Sequence, residues 1–122
     1  MNFKENNKAI FLQIADRICD NILSGEYAPD SRIPSVRTLA AEIEVNANTV
    51  MRAYEYLSLR GVVTNKRGIG FFIAPNATEL VTDMRRSEFL ESELGNVFHQ
   101  LRLLNISPEQ LKDMYNNYLD SK

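Results

Sequence analysis

The chain has one cysteine, one histidine and no tryptophan among its 122 residues. A lone thiol cannot close an internal disulfide, and a single Cys with a single His offers no ligand spacing for a metal. Cys19 falls inside an apolar helical pattern and reads as a small core residue. His99 has no nucleophile or ligand set nearby and reads as a helix-surface or interface residue. No Ser/His/Asp set, Cys/His pair or phosphate loop is present, and a strand follows Gly68-Ile69-Gly70 where a dinucleotide fingerprint needs a helix. No enzymatic activity, metal or cofactor is therefore expected. Apolar runs are short, none approaching the ~20 residues of a membrane span. The opening Met1–Lys8 is polar and lacks the apolar centre of a signal peptide. The expectation is a cytoplasmic protein with no membrane partner. No internal repeat or low-complexity tract is evident.

Hydrophobic content of 44% and charged content of 25% are ordinary for a globular chain of one domain with a small appendage. The net charge of −2 argues weakly against a nucleic-acid binder, but the charges are segregated. Residues 32–73 hold six basic side chains (Arg32, Arg37, Arg52, Arg60, Lys66, Arg67) against three acidic ones, Glu42, Glu44 and Glu55. Residues 76–122 hold five basic and eight acidic ones. Local charge governs phosphate binding more than the total does.

Periodicity predicts a first helix over roughly residues 8–24, with Ile10, Ile14, Ile18 and Ile22 recurring every four residues beside Phe11, Ala15, Cys19 and Leu23. Gly25 is a C-terminal stop, and Pro29 and Pro34 mark a loop. Ile33 can supply a short strand to a later hairpin. Ser35 is placed to cap a second helix whose inner face is Val36, Leu39, Ala40 and Ile43. Val45 plugs the turn, and Asn46 caps a third helix with Val50, Ala53, Tyr54 and Leu57 inward and Gly61 at its end. Val62–Lys66 and Gly70–Ile73 form a hairpin around a Gly-containing turn. Pro75 marks a domain edge, giving units 1–75 and 76–122. Beyond it, Leu80 and Met84 lead to Leu90, Leu94, Val97, Leu101 and Leu104, a stripe that Asn105 ends. Ser107-Pro108-Glu109-Gln110 opens a last helix bearing Leu111, Met114, Tyr115, Tyr118 and Leu119 on one face.

The predicted fold is thus mainly α with a small β-hairpin: a winged helix-turn-helix followed by a two-helix C-terminal dimerisation region. The third helix leads with Asn46, Asn48 and Thr49 and carries Arg52 behind them. Short polar groups at a helix start suit base edges in a major groove, where each base pair shows a distinct donor and acceptor pattern. Asn48 is the best base reader, since an amide pairs both ways with adenine. Thr49, Arg37 and Arg52 are natural phosphate or base partners, and the hairpin tip Lys66-Arg67-Gly68-Ile69-Gly70 can reach a minor groove. Recognition helix 46–60 and wing 62–73 are the predicted interface with double-stranded DNA. The apolar stripe Leu90, Leu94, Val97, Leu101, Leu104 with Leu111, Met114, Tyr115 and Tyr118 is the predicted homodimer interface, since a two-fold DNA site calls for a symmetric dimer. The competing reading is a winged-helix module for protein contacts without specific DNA binding.

The ordered set Ile22-Leu23-Ser24-Gly25, Pro34-Ser35-Val36-Arg37-Thr38-Leu39-Ala40, Val45–Val50, Ala53-Tyr54, Leu57, Gly61 and Lys66–Phe71 resembles the GntR family of bacterial transcription regulators, in its short YtrA-type branch. The resemblance implies a homodimeric repressor of an inverted-repeat operator, often one controlling ABC transporter genes. It implies DNA contacts by Arg37, by Asn48 and Thr49, and by Gly68 and Gly70, and Ser35 and Asn46 are counted beside them as candidate DNA-binding residues; it names no effector. Many members carry Arg where this chain has Ala47 and a basic residue at Met51, so the base preference implied here differs from theirs. Asp30 stands where a turn glycine is common. Larger branches add a ligand-binding or aminotransferase-like domain, for which 122 residues leave no room.

Overall fold

The computed structural model describes residues 8–121, and the polar opening at 1–7 lies outside them. The order is α1 (Ile10–Ser24), α2 (Val36–Ile43), α3 (Ala47–Leu59), β1 (Val63–Lys66), β2 (Gly70–Ile73), α4 (Ala77–Glu88), a π-helical turn (Phe89–Glu93), α5 (Leu94–Leu103) and α6 (Pro108–Asp120). Contacts divide this chain into two compact units, at Met84/Arg85 rather than at Pro75. The division comes later because Ala77 and Val81, on the first turns of α4, are fully buried in the N-terminal core.

That core is built from the periodic residues. Ile14, Ile18 and Ile22 of α1 share one cluster with Leu39 and Ala40 of α2 and with Val50, Ala53, Tyr54 and Leu57 of α3, the last four fully buried. Val62, Val63 and Ile73 close it from the hairpin. Cys19 is buried there too. Ile10 and Leu23 depart from the expected face: at the two ends of α1 they lie exposed, 48% and 41%, uncovered by any element among the described residues.

Termini are set as the residue types dictate. Gly25 takes a left-handed φ of 87° at the end of α1, and its N–H donates to the Ile22 carbonyl. Gly61, φ 78°, follows α3, and the Val62 N–H reaches back to the Leu57 carbonyl at 3.0 Å. Asp30 adopts φ 65°, the conformation a glycine takes most easily, and Asp is among the few side chains that tolerate it.

The hairpin pairs antiparallel, Val63 with Ile73 through Lys66 with Gly70. A third segment joins it. Arg32 bridges Phe72, the Ile33 N–H donates to the Phe71 carbonyl (3.0 Å), and the Asp30 N–H donates to the Ile73 carbonyl (2.9 Å). The Ile73 N–H returns a bond to Ser31 at 2.9 Å. The strand expected at Ile33 is therefore a bridge centred on Arg32, with Ile33 itself buried.

In the C-terminal unit, α5 and α6 have no fully buried residue. Asn105, φ 57°, reverses the chain after α5, with the Ile106 N–H bonded to the Leu101 carbonyl. Ser107 caps α6, accepting from the Gln110 N–H at 3.1 Å, with Pro108 at its first position.

Candidate nucleic-acid interface

Asn46 is extended (φ −63°, ψ 137°) and its side-chain oxygen accepts the Asn48 N–H at 2.8 Å. This starts α3 with its leading residues exposed. Asn48, Met51, Arg52 and Glu55 are exposed and spaced i, i+3, i+4, i+7, so they share one face of the helix. Thr49 is half-buried on the flank of that face. The capping bond uses one lone pair of the Asn46 side-chain oxygen and leaves its carboxamide N–H groups free for another partner.

Arg52 is held by α1. Its guanidinium lies 4.2 Å from the Phe11 ring centroid. Phe11 meets Tyr56 edge-to-face at 6.1 Å, and the Arg60 guanidinium sits 3.5 Å over the Tyr56 ring. Two cation–π contacts thus flank one aromatic pair, each contact adding about 0.5–1 kcal/mol at an exposed site.

Ser35 caps α2: its hydroxyl accepts the Thr38 N–H at 3.1 Å and donates to the Thr38 Oγ1 at 2.9 Å. Its one proton is thereby engaged. Arg37, on the first turn, is exposed. Tyr54 ties this region together. Its buried phenol donates to the Pro34 carbonyl at 2.6 Å, and its ring meets Phe71 of β2 edge-to-face at 4.9 Å. Burial pushes the Tyr54 phenol well above its ordinary pKa. Tyr27 is also raised by burial, opposed by its hydrogen bond with Asn21.

The wing tip turns through Lys66-Arg67-Gly68-Ile69, closed by the Ile69 N–H donating to the Lys66 carbonyl at 2.8 Å. Gly68 takes φ 78°, the positive value a type II turn needs at its third residue. Open space surrounds Gly68, so the backbone alone demands glycine there. Lys66 rests 4.2 Å over the Phe72 ring, and Arg67 and Ile69 are exposed.

Of the DNA-contacting residues expected from sequence, Ser35, Arg37 and Gly70 line one groove together. A groove between the start of α2, α3 and the wing is lined by Ser35, Arg37, Met51, Ile69 and Gly70, with Arg32 beside them. Sequence placed Met51 and Glu55 in the recognition helix and Ile69 in the wing tip without a contact of their own, and gave Arg32 none. Helical spacing from Asn48 identifies the first two; the last two depend on the fold of the wing. Among the described residues no cluster of three or more His, Cys, Asp or Glu is placed to hold a metal, and no helix is long and apolar enough to cross a membrane.

On the C-terminal unit, Val97, Leu101, Leu104 and Ile106 line an apolar groove with Asn96 and Gln100. Leu94 and Leu111 are half-buried, while Leu90, Met114, Tyr115 and Tyr118 are exposed. Ile106, brought back by the Asn105 reversal, is a member of this face that periodicity missed.

Comparison with known proteins agrees with this architecture. The family model described as bacterial regulatory proteins, gntR family, matches residues 11–73. The HTH-type transcriptional regulator YhcF of Bacillus subtilis is 33% identical over 107 residues, 88% of this chain and 87% of its own. The HTH-type transcriptional repressor YtrA of the same organism is 33% identical over 97 residues, covering 80% of this chain and 68% of its own. A crystal structure ascribed to a GntR-family transcriptional regulator of Bacteroides thetaiotaomicron superposes with a TM-score of 0.82 at 51% identity, covering 93% of this chain and 98% of that one. With a family match across the whole winged helix and relatives that extend through the C-terminal helices, the chain belongs to the GntR family of bacterial regulatory proteins, in its short YtrA-type branch.

Proposed function

We propose that this protein is a cytoplasmic, non-catalytic repressor that binds an inverted-repeat operator in double-stranded DNA as a homodimer. The observation that carries the reading is the convergence of Arg37, of Met51 from the exposed face of α3, and of Ile69 and Gly70 from the wing on one groove. Asn48 and Thr49 lie where base edges are reached from a helix start, with Arg52 steadied on Phe11 behind them. Lys66 and Arg67 supply positive charge at the wing tip, and Gly68 and Gly70 let that tip turn tightly. Ser35 and Asn46 contribute chiefly by capping the helices that carry the contacts. The repressor assignment follows the relative YtrA, described as a transcriptional repressor.

The dimer reading rests on the exposed Leu90, Val97, Leu104, Met114, Tyr115 and Tyr118, with Leu94, Leu101 and Leu111 half-covered. Apolar surface of this kind is covered when two copies pair.

Selection from random duplex DNA at near-physiological salt tests both parts. An enriched inverted repeat is the expected result. Arg37→Ala should then weaken binding to that repeat by about 1–3 kcal/mol. A folded protein that enriches no sequence, or binds only a protein partner without salt dependence, would overturn the reading.

A further inference from the structure

Gly70 has a second reason to be glycine besides its φ of 147°. A Cβ placed there would lie 2.8 Å from Arg32 Nε, 3.1 Å from Nη2 and 3.2 Å from Cζ. The guanidinium of Arg32 is thus laid against the wing backbone at a residue that has no side chain to push it away. Its own backbone is fixed by the bridge to Phe72 and by the bonds of Asp30 and Ile33 to Ile73 and Phe71. Arg32 is exposed and lines the same groove as Ser35, Arg37 and Met51. Among the described residues, neither the Arg32 nor the Arg37 guanidinium has a hydrogen-bond or ion-pair partner. An arginine is always charged, and its planar fork matches the oxygens of a phosphodiester. Two unneutralised guanidinium groups thus line one groove, one of them seated in advance on a glycine.

We infer that Arg32, held in place by Gly70, is a phosphate-binding residue of the DNA interface: a clamp on the backbone strand that passes between the wing and α3. This rests on the DNA-binding reading above and extends it to a residue with no assigned role. On this reading Gly70 acts indirectly. It positions Arg32, whereas Gly68 serves the turn. A phosphate contact fixes register without reading sequence, so its loss must weaken all sites alike.

The test measures binding of full-length protein to its selected operator and to an unrelated duplex, each across a salt series. Arg32→Ala is expected to weaken both about ten-fold, the scale of one lost charge-assisted hydrogen bond, and to flatten the slope of log affinity against log salt by about one. Arg32→Lys keeps the slope but loses part of the affinity. Gly70→Ala, which displaces the guanidinium, is expected to weaken binding in the native background and much less in Arg32→Ala. A free anion site unrelated to DNA is the competing source of this chemistry. In that case Arg32→Ala leaves operator affinity and slope unchanged, while inorganic phosphate raises the melting temperature of the native protein but not of the variant. Unchanged affinity and slope with operator binding intact would overturn the clamp alone; failure of the native protein to bind any duplex would overturn the DNA reading itself. Melting curves of each variant separate loss of fold from loss of contact.

Discussion

Replacing Tyr54 with Phe removes one oxygen and leaves the rest of the core in place. The ring stays against Phe71, so no cavity of consequence opens. What disappears is the 2.6 Å bond from a fully buried phenol to the Pro34 carbonyl, and no other described backbone N–H donates to that carbonyl. A net loss of about 1.5 kcal/mol is expected, above the mean for an ordinary hydrogen bond because the carbonyl is left without its partner. For a domain of this size that corresponds to a melting temperature lower by about 6–12 °C. Measurement by circular dichroism at fixed protein concentration keeps any dimer contribution equal between variants. A second signature lies in alkaline solution. The folded phenol holds its proton above its ordinary pKa, so the unfolded chain ionises first. The stabilising difference is complete below a pH of about 10 and declines above it by roughly 1.4 kcal/mol per pH unit for one such group. Tyr27 adds a decline of the same sign. Tyr54→Phe should therefore be less stable at neutral pH yet lose stability more slowly as pH rises past that point. Indistinguishable melting temperatures and identical alkaline slopes would refute the claim that this hydrogen bond ties α3 to the loop before α2.

Three further outcomes are expected. Asn46→Ala removes the cap of α3 and should cost about 1 kcal/mol of stability, seen in denaturant melts, while the salt dependence of DNA binding is unchanged. Leu57→Ala empties a fully buried site and should cost about 2–5 kcal/mol, enough to unfold much of the N-terminal unit at physiological temperature; a loss under a kilocalorie would mean that the surrounding core collapses freely. Val97→Asp places a charge on an exposed apolar groove, and sedimentation should show monomers with native helical content; persistent dimers would move the interface elsewhere.

Much of this fold was legible because its signals are local. The inward residues of α3 follow a helical period and all reach full burial. The Asn46 and Ser107 caps follow from residue type beside an apolar run. The family resemblance, rather than a local signal, marked Asp30 as standing at a turn glycine's position, and its positive φ is the physical reason a glycine suits it. What escaped depends on neighbours distant in sequence. Nothing near Arg32 announces that its side chain will lie on Gly70, since that contact exists only after the chain before α2 pairs with β2. The π-helical turn at Phe89–Glu93 breaks a pattern analysis that assumes an unchanging helical period. Ile10 and Leu23 fit the apolar stripe but overhang the elements that cover its middle. The edge at Pro75 was read from a helix breaker, whereas the compact division follows burial into α4.

The pairing of residues 30–33 with β2 has a metrical consequence. The base of this wing, residues 71–73, is stitched to the segment that leads directly into α2. The placement of the wing's base relative to α2 is therefore set inside the protein before any encounter. A rigid two-pronged surface behaves as a calliper: it fits duplexes whose grooves already have the right width and spacing, and others must bend to meet it. The energy of that bending depends on base steps the protein never touches, so part of its sequence preference belongs to the stiffness of the DNA.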